Sequence, residues 1–373
     1  MSATTFSWQR FRAMLVKESL QILRDPSTFL IAFVLPMILL FLFGYAISLD
    51  PTHIRIGIAL EDSGAPALSL ANSFERSRWF QVTGRRSVAT LEDELTAGRI
   101  RGIVVIPADF SRRFRTTGEV AQIQVITDGA LPNTAAFVAG YAEGVRASWQ
   151  AAQLPQAALP VALAHRYWFN PELASRYFLI PGSIAIVMTM IGSLLTALVV
   201  AREWERGTME AIMATPIGMP EFLATKVLPY FLLGLGSMAL CTLLAIFLFG
   251  VPFRGSALGI TALAAAFLVP SLGQGLLVSA VTKNQFVASQ VALLSAFLPA
   301  MMLSGFLFEI SSMPRWIQAL SYVVPARYLI PPLQSVFLAG DLWGMFARNI
   351  AVLLGFGAVF FTIAIAATRR RIA

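Results

Sequence analysis

The sequence predicts a polytopic α-helical membrane protein of six transmembrane helices, with an α/β extracytoplasmic domain inserted between helices 1 and 2. Three observations carry that expectation. Hydrophobic residues make up 57% of the chain, charged residues only 13%, and the mean hydropathy is +0.71; a soluble domain carries about a quarter charged residues. The apolar residues fall into six runs free of Asp, Glu, Lys and Arg: Pro26–Leu49, Tyr177–Ala201, Val227–Phe253, Gly255–Thr282, Asn284–Phe308 and Asn349–Thr368. Each reaches the roughly 20 residues a helix needs to cross about 30 Å of hydrocarbon. Finally, one long segment of ordinary polarity, 50–176, separates the first run from the second.

Residues 1–25 form the first element. "FSWQRFRAMLVKESLQILRDP" places Trp8, Phe11, Leu15 and Ile22 on one side of a helix, while Arg10, Lys17 and Arg24 recur every seven residues on the other. This is an amphipathic helix lying in the membrane interface, where anchoring to anionic lipid is as good a reading as contact with a partner protein. Pro26 turns the chain into the first span, 26–49. The first 24 residues are too polar for the apolar region of a signal peptide, so this span is expected to be retained.

Segment 50–176 has 13 Arg, no Lys and 12 acids. Strand-like runs at 54–60, 79–83, 100–107 and 121–127 alternate with helical patterns at 65–77, 88–98 and 108–118, and a long helical stretch follows at 132–153. Alternation of this kind predicts an α/β layer structure, and about 125 residues can bury their own core. His53 and His165 lie far apart beside membrane ends, so no metal site is expected from them. The single Cys241 falls inside a span and reads as a small buried hydrophobe.

Segment 177–373 holds spans two to six and two interruptions. The first is a cytoplasmic elbow, 201–220, with five charged side chains between Arg202 and Glu210. Arg202 with Glu205, and Glu203 with Arg206, have the i to i+3 spacing that permits pairing along a helix. Gly207 allows a sharp turn, Thr208 can cap a second short helix, Glu210 suits that helix's positive end, and Pro216 helps to end it. The second interruption, 309–341, is too apolar for a free loop. It is broken by Pro314, Pro325, Arg327 and the pair at 331–332, and fits short helices that dip into the outer leaflet and return.

Orientation follows from cations near the span ends. With a cytoplasmic N-terminus, eleven Lys and Arg lie inside and four lie in the short outside loops. Both termini are therefore expected in the cytoplasm and 50–176 outside. The net charge of +8 is mostly this bias and gives no argument for nucleic acid.

Two stretches resemble a known family. "REWERGTMEAIMATPIG" is similar to the cytoplasmic signature of ABC-2 type permeases through Glu203, Glu205, Arg206, Gly207, Thr208, Glu210, Thr215 and Pro216. "LSGFLFEISSMPRWIQALSYVVPARYLIPPLQSVFLAGDLW" resembles the family's segment after span five; Glu309 stands where the family often has proline. With six spans and a long outside segment, the resemblance is closest to the long-loop, multidrug-type branch in bacteria. It implies the permease subunit of an ATP-driven exporter in the inner membrane. Two permease subunits, identical or related, would form the pore. An ABC ATPase subunit would bind ATP–Mg and dock on the elbow at Arg202 to Glu210. A periplasmic adaptor protein often cooperates in related systems.

The chain agrees by what it lacks. It contains no G-x-x-x-x-G-K-[ST], so no cofactor is expected on this chain and power must come from a partner or an ion gradient. Gradient coupling normally leaves ionisable residues within spans, and the six runs hold none. The alternatives kept open are an ion-driven secondary transporter and a mechanotransmission scaffold that moves no substrate through itself. A membrane enzyme is disfavoured because no set of nucleophile, base or metal ligands converges from the spans.

Overall fold

The computed structural model describes residues 7–46, 53–116, 120–128, 132–153, 174–213, 215 and 218–369. The chain divides into two compact units: Leu49–His165, and Met1–Ser48 together with Arg166–Ala373.

The larger unit begins with α1 (Trp8–Leu23) and α2 (Pro26–Tyr45). Asp25 caps α2 by accepting a hydrogen bond from the Ser27 amide. Inside α2 the turn Leu30–Val34 widens to π geometry two residues before Pro36. Proline supplies no N–H, and a wider turn is one way a buried helix re-pairs the freed carbonyl.

The unit Leu49–His165 contains β1 (Ile54–Leu60), α3 (Ala65–Glu75), β2 (Phe80–Arg85), α4 (Val88–Thr96), β3 (Gly102–Ile106), α5 (Phe110–Arg115), β4 (Gln124–Thr127) and α6 (Pro132–Gln153). The strands form one sheet in the order β2-β1-β3-β4. β1 is parallel to both β2 and β3, and β4 is antiparallel to β3. Alternation along each strand sends Ile56, Ile58, Val104 and Ile106 to a face covered by α3 and α6, through Leu70, Phe74, Val138 and Trp149. Ala59, Ile103 and Val105 face α4 through Leu91. Gly57 lies so close under Leu91 that a Cβ there would fall 2.3 Å from it. Asp62 braces the start of α3: its carboxylate accepts from the Gly64 amide at 2.7 Å and the Ser111 amide at 2.6 Å.

The larger unit resumes with α7 (Ser175–Glu205), α8 (Thr208–Met213), α9 (Met219–Phe247), α10 (Ala257–Thr282), α11 (Gln285–Leu303), α12 (Arg315–Ser321), α13 (Ala326–Leu338) and α14 (Trp343–Arg369). Among the described residues six helices are long and apolar enough to span a membrane: α2, α7, α9, α10, α11 and α14. Helix α7 is almost wholly enclosed. It packs along α10 through small residues, where apolar attraction offers little between helices in lipid and close backbone approach replaces it. Ser271, Gly275 and Ser279 recur every fourth residue on α10, and the first two meet Gly192, Ser193 and Thr196 of α7. A Cβ on Gly275 would fall 2.0 Å from the Ser193 carbonyl oxygen. Thr196 donates to the Leu272 carbonyl at 2.8 Å, and the Ser279 hydroxyl accepts from the Val200 and Ala201 amides.

Segment 309–341 contains a 3-10 turn (Ile310–Ser312), α12 and α13. Pro314 and Pro325 stand at the N-caps of the two α-helices, positions where a missing N–H costs nothing. Arg327 donates to the Gln318 carbonyl and the Ser321 hydroxyl and lies over the Tyr322 ring at 3.7 Å, which ties the two helices together. Glu309 accepts from the Ser311 hydroxyl at 2.6 Å. The buried face of α13 packs on α7, α10 and α14.

Candidate functional site

The elbow begins in the last turn of α7. Gly207 has φ +67°, a conformation that side chains resist, and it reverses the chain into α8. Met209 is buried against Val200, Phe222, Leu223 and Leu276, which fixes α8 to the ends of α7, α9 and α10. Thr208 is the first helical residue of α8 rather than a residue preceding it. Its hydroxyl points back and donates to the Glu203 carboxylate. Glu210 lies in the first turn of α8 and is exposed. Pro216 lies outside the described residues.

Three of the elbow's charges, Arg202, Glu203 and Glu205, pair outward, not along their own helix. Glu203 is buried and accepts from Lys226 of α9, whose ammonium also meets Glu18 of α1 at 2.7 Å. The three side chains are 2–6% exposed. Lys226 thus bridges two carboxylates on helices remote in sequence. The i to i+3 pair expected between Glu203 and Arg206 is replaced because the buried Glu203 carboxylate needs a buried cation beside it. Arg202 reaches Asp25 at 3.1 Å. Burial would raise the Asp25 carboxyl, but hydrogen bonds from Ser27, Thr28 and Arg202, with the Arg202 charge, hold it below the usual carboxylate range. Glu205 accepts from the Gln285 amide at 2.8 Å and from its side-chain amide, capping α11 where the helix dipole favours an anion. Arg206 is exposed.

A second carboxylate performs a similar service at the other end of this cluster. Glu221 accepts from the Gly218 amide at 3.2 Å and so caps α9. It also accepts from the Ser7 amide at 2.7 Å and faces Arg10 at 3.5 Å, pinning the start of α1. Of the cations expected on the polar side of α1, Arg10 therefore turns inward, while Lys17 and Arg24 stay exposed. Trp8 is exposed and stacks on Phe11. The exposed side of α1 also carries Val16, Leu20 and Leu23.

Sequence reasoning passed over Glu18, Asp25, Glu221, Lys226 and Gln285. One of them left a signal: Glu18 falls among Phe11, Leu15 and Ile22 at helical spacing, a charge inside an apolar stripe. Among the described residues no cluster of His, Cys, Asp or Glu could hold a metal ion.

The sequence matches the ABC-2 family transporter protein family over residues 26–366. The chain belongs to the ABC-2 transporter family. This ABC-2 chain is 47% identical to the probable multidrug ABC transporter permease YbhS of Escherichia coli (strain K12) over the full length of both. It is 28% identical to the probable multidrug ABC transporter permease YbhR of the same organism, over 89% of this chain and 90% of that one. It is 22% identical to the linearmycin resistance permease protein LnrN of Bacillus subtilis (strain 168), over 93% and 96% respectively. The alignment with YbhS takes in the spans, the elbow and the segment between α2 and α7.

Proposed function

We propose that this ABC-2 chain is the transmembrane permease subunit of an ATP-driven exporter. Its cargo is a hydrophobic or amphipathic compound, drug-like or lipid-like, moved out of the cytoplasm or the inner membrane of a bacterium. The names of the relatives support the multidrug reading. Both termini lie in the cytoplasm. The unit between α2 and α7 is an α/β extracytoplasmic domain, and segment 309–341 is a re-entrant element of the outer leaflet. The chain itself is non-catalytic. A separate ABC ATPase subunit binds ATP–Mg, a second permease subunit completes the pore, and a periplasmic adaptor cooperates from outside.

The observation that carries this reading is the Glu18–Lys226–Glu203 bridge. It joins the elbow to α1 and α9, so a push on α8 moves two further helices with α7. Coupling requires an element that transmits displacement, and a solvated loop does not. The bridge sits at the ends of α7 and α9, away from the midplane sites typical of ion-driven transporters. Transport should accordingly survive collapse of the proton gradient while ATP lasts.

The test uses Glu205→Lys and Gly207→Pro at normal abundance. The first removes the Glu205 hydrogen bonds to Gln285 at the head of α11 and inverts a charge at the docking face; the second imposes φ near −65° where the chain needs +67°. Export and stimulation of the ATPase should fall together. Normal export by both variants would sink the coupling role.

A further inference from the structure

We infer that the groove between α1, the end of α7 and the start of α11 is a binding site for one anionic membrane phospholipid. The groove has a volume of about 910 Å³. Lys17, Arg24, Arg202 and Arg206 line it against a single carboxylate, Asp25. That carboxylate is already engaged by Arg202 at 3.1 Å and by Ser27 and Thr28. Lys17 is partly answered by Glu18 at 3.4 Å behind it. Arg24 and Arg206 are exposed, and among the described residues neither guanidinium has a partner. A pair of unanswered guanidinia suits a phosphate, which each can grip through two parallel hydrogen bonds.

The second half of the site identifies the occupant as a lipid. A second groove of about 660 Å³ shares Arg24 and Pro26 with the first and continues over Leu23, Leu30 and Val34. Below it Ile38 and Leu42 prolong the same face of α2 at four-residue spacing, all of them exposed. From Leu30 to Leu42 the helix rises about 18 Å, close to the ~15 Å depth of one leaflet. The cationic groove therefore lies at the head of an apolar track of acyl-chain length. Pro26 opens a spanning helix, so the junction of groove and track stands at the boundary of water and hydrocarbon. A water-soluble protein surface, such as the face of an ATPase, could fill the cationic half but not follow the track. The headgroup would bridge Lys17 of α1 and Arg24 just after it to Arg206 of the elbow. This inference rests on the membrane fold and not on the exporter reading.

The experiment needs no ATPase. The full-length protein is purified in detergent and titrated with phosphatidylglycerol or phosphatidylcholine of identical chains, with bound lipid counted by native mass spectrometry. The two arginines should give a preference of roughly tenfold or more for one phosphatidylglycerol per chain. Arg24→Gln with Arg206→Gln should reduce that preference to within ~twofold, and Arg24→Lys with Arg206→Lys, which keeps the charge but loses the paired hydrogen bonds, should retain only part of it. Leu30→Ser with Val34→Ser should weaken both lipids alike. Inorganic phosphate should displace the lipid poorly, because it gains nothing from the track. Equal binding of the two lipids by the unaltered protein, or an unchanged preference in the glutamine variant, overturns the proposal. Ready displacement by inorganic phosphate would make this a free-anion site instead. Unfolding midpoints matching that of the unaltered protein confirm that the variants are folded.

Discussion

Lys226→Met removes the cation at the centre of the elbow and leaves its cavity nearly filled. Two carboxylates, Glu18 and Glu203, are then buried with only the half-exposed Lys17, 3.4 Å from Glu18, as a counter-charge. Removing one partner of a buried ion pair costs about 3–5 kcal/mol, because the remaining charge stays desolvated. Here the lysine serves two anions at once while Lys17 still answers one of them, which places the expectation within that range. Glu203→Gln alone should cost far less, about 1 kcal/mol, since Glu18 keeps Lys226 and the Thr208 hydroxyl can still donate to the amide oxygen. Lys226→Met combined with Glu18→Gln and Glu203→Gln should recover most of the loss, because a neutral set no longer strands a charge. Cys241 supplies the assay: it is the only cysteine in the chain and is buried on α9, the helix that carries Lys226. A fluorogenic maleimide then reports unfolding during a titration with denaturing detergent. The reasoning is refuted if Lys226→Met unfolds within about 1 kcal/mol of the unaltered protein, a loss no larger than that of an ordinary hydrogen bond. It is refuted equally if the triple variant is no more stable than the single one.

Other expectations concern the unit between α2 and α7. Single cysteines at the exposed positions Ser63 and Ala89 should react with an impermeant thiol reagent from the periplasmic side of intact cells; labelling only after the inner membrane is opened would reverse the topology. Expressed as residues 50–175, the unit should melt cooperatively with mixed α/β circular dichroism, and a fragment without that transition would show dependence on the membrane part. Hydrogen bonds from Ser111 and Gly64 hold the Asp62 carboxyl below its ordinary 3.8. A depressed folded value contributes stability above the unfolded value and loses it as pH falls through the folded one. The fragment's melting temperature should therefore drop as pH falls below 3.8, and Asp62→Asn should flatten that dependence; equal acid profiles would remove Asp62 from the account.

The spans were legible because hydrocarbon leaves the sequence little freedom: a helix that cannot hydrate a charge must omit it. The uncharged run 26–49 corresponds to a helix described from Pro26 to Tyr45. The run 177–201 understated its helix, which continues to Glu205 because the end of α7 is enclosed by protein that answers its charges. The turn at Gly207 was also readable, since a positive φ favours the one residue without a side chain. Partner choice was not. Lys226 borders an apolar run and reads as an ordinary flanking cation, yet its partners lie 23 residues away on α7 and far off on α1. The same holds for Glu205, whose nearest cation by sequence lost to the amide groups of Gln285 at the head of α11. Spacing lists the pairs a helix permits; packing decides which groups stand within reach, and desolvation enforces the pairing where, as at Glu203, the charge is buried. The close contact of α7 with α10 left a faint trace in the four-residue recurrence of Ser271, Gly275 and Ser279, but nothing in that pattern names the opposite helix.

The central claim is that the elbow receives the motor. Glu210 is exposed in the first turn of α8, where a side chain can reach a docked protein. A photo-crosslinking amino acid placed at Glu210 and activated in intact cells should yield one dominant protein adduct, identified by mass spectrometry as an ATPase carrying a P-loop. The same reagent at Arg112 in the α/β unit should yield no such adduct. If activation at Glu210 gives only lipid adducts, or captures proteins without a P-loop, the elbow does not contact the motor and the coupling account is contradicted.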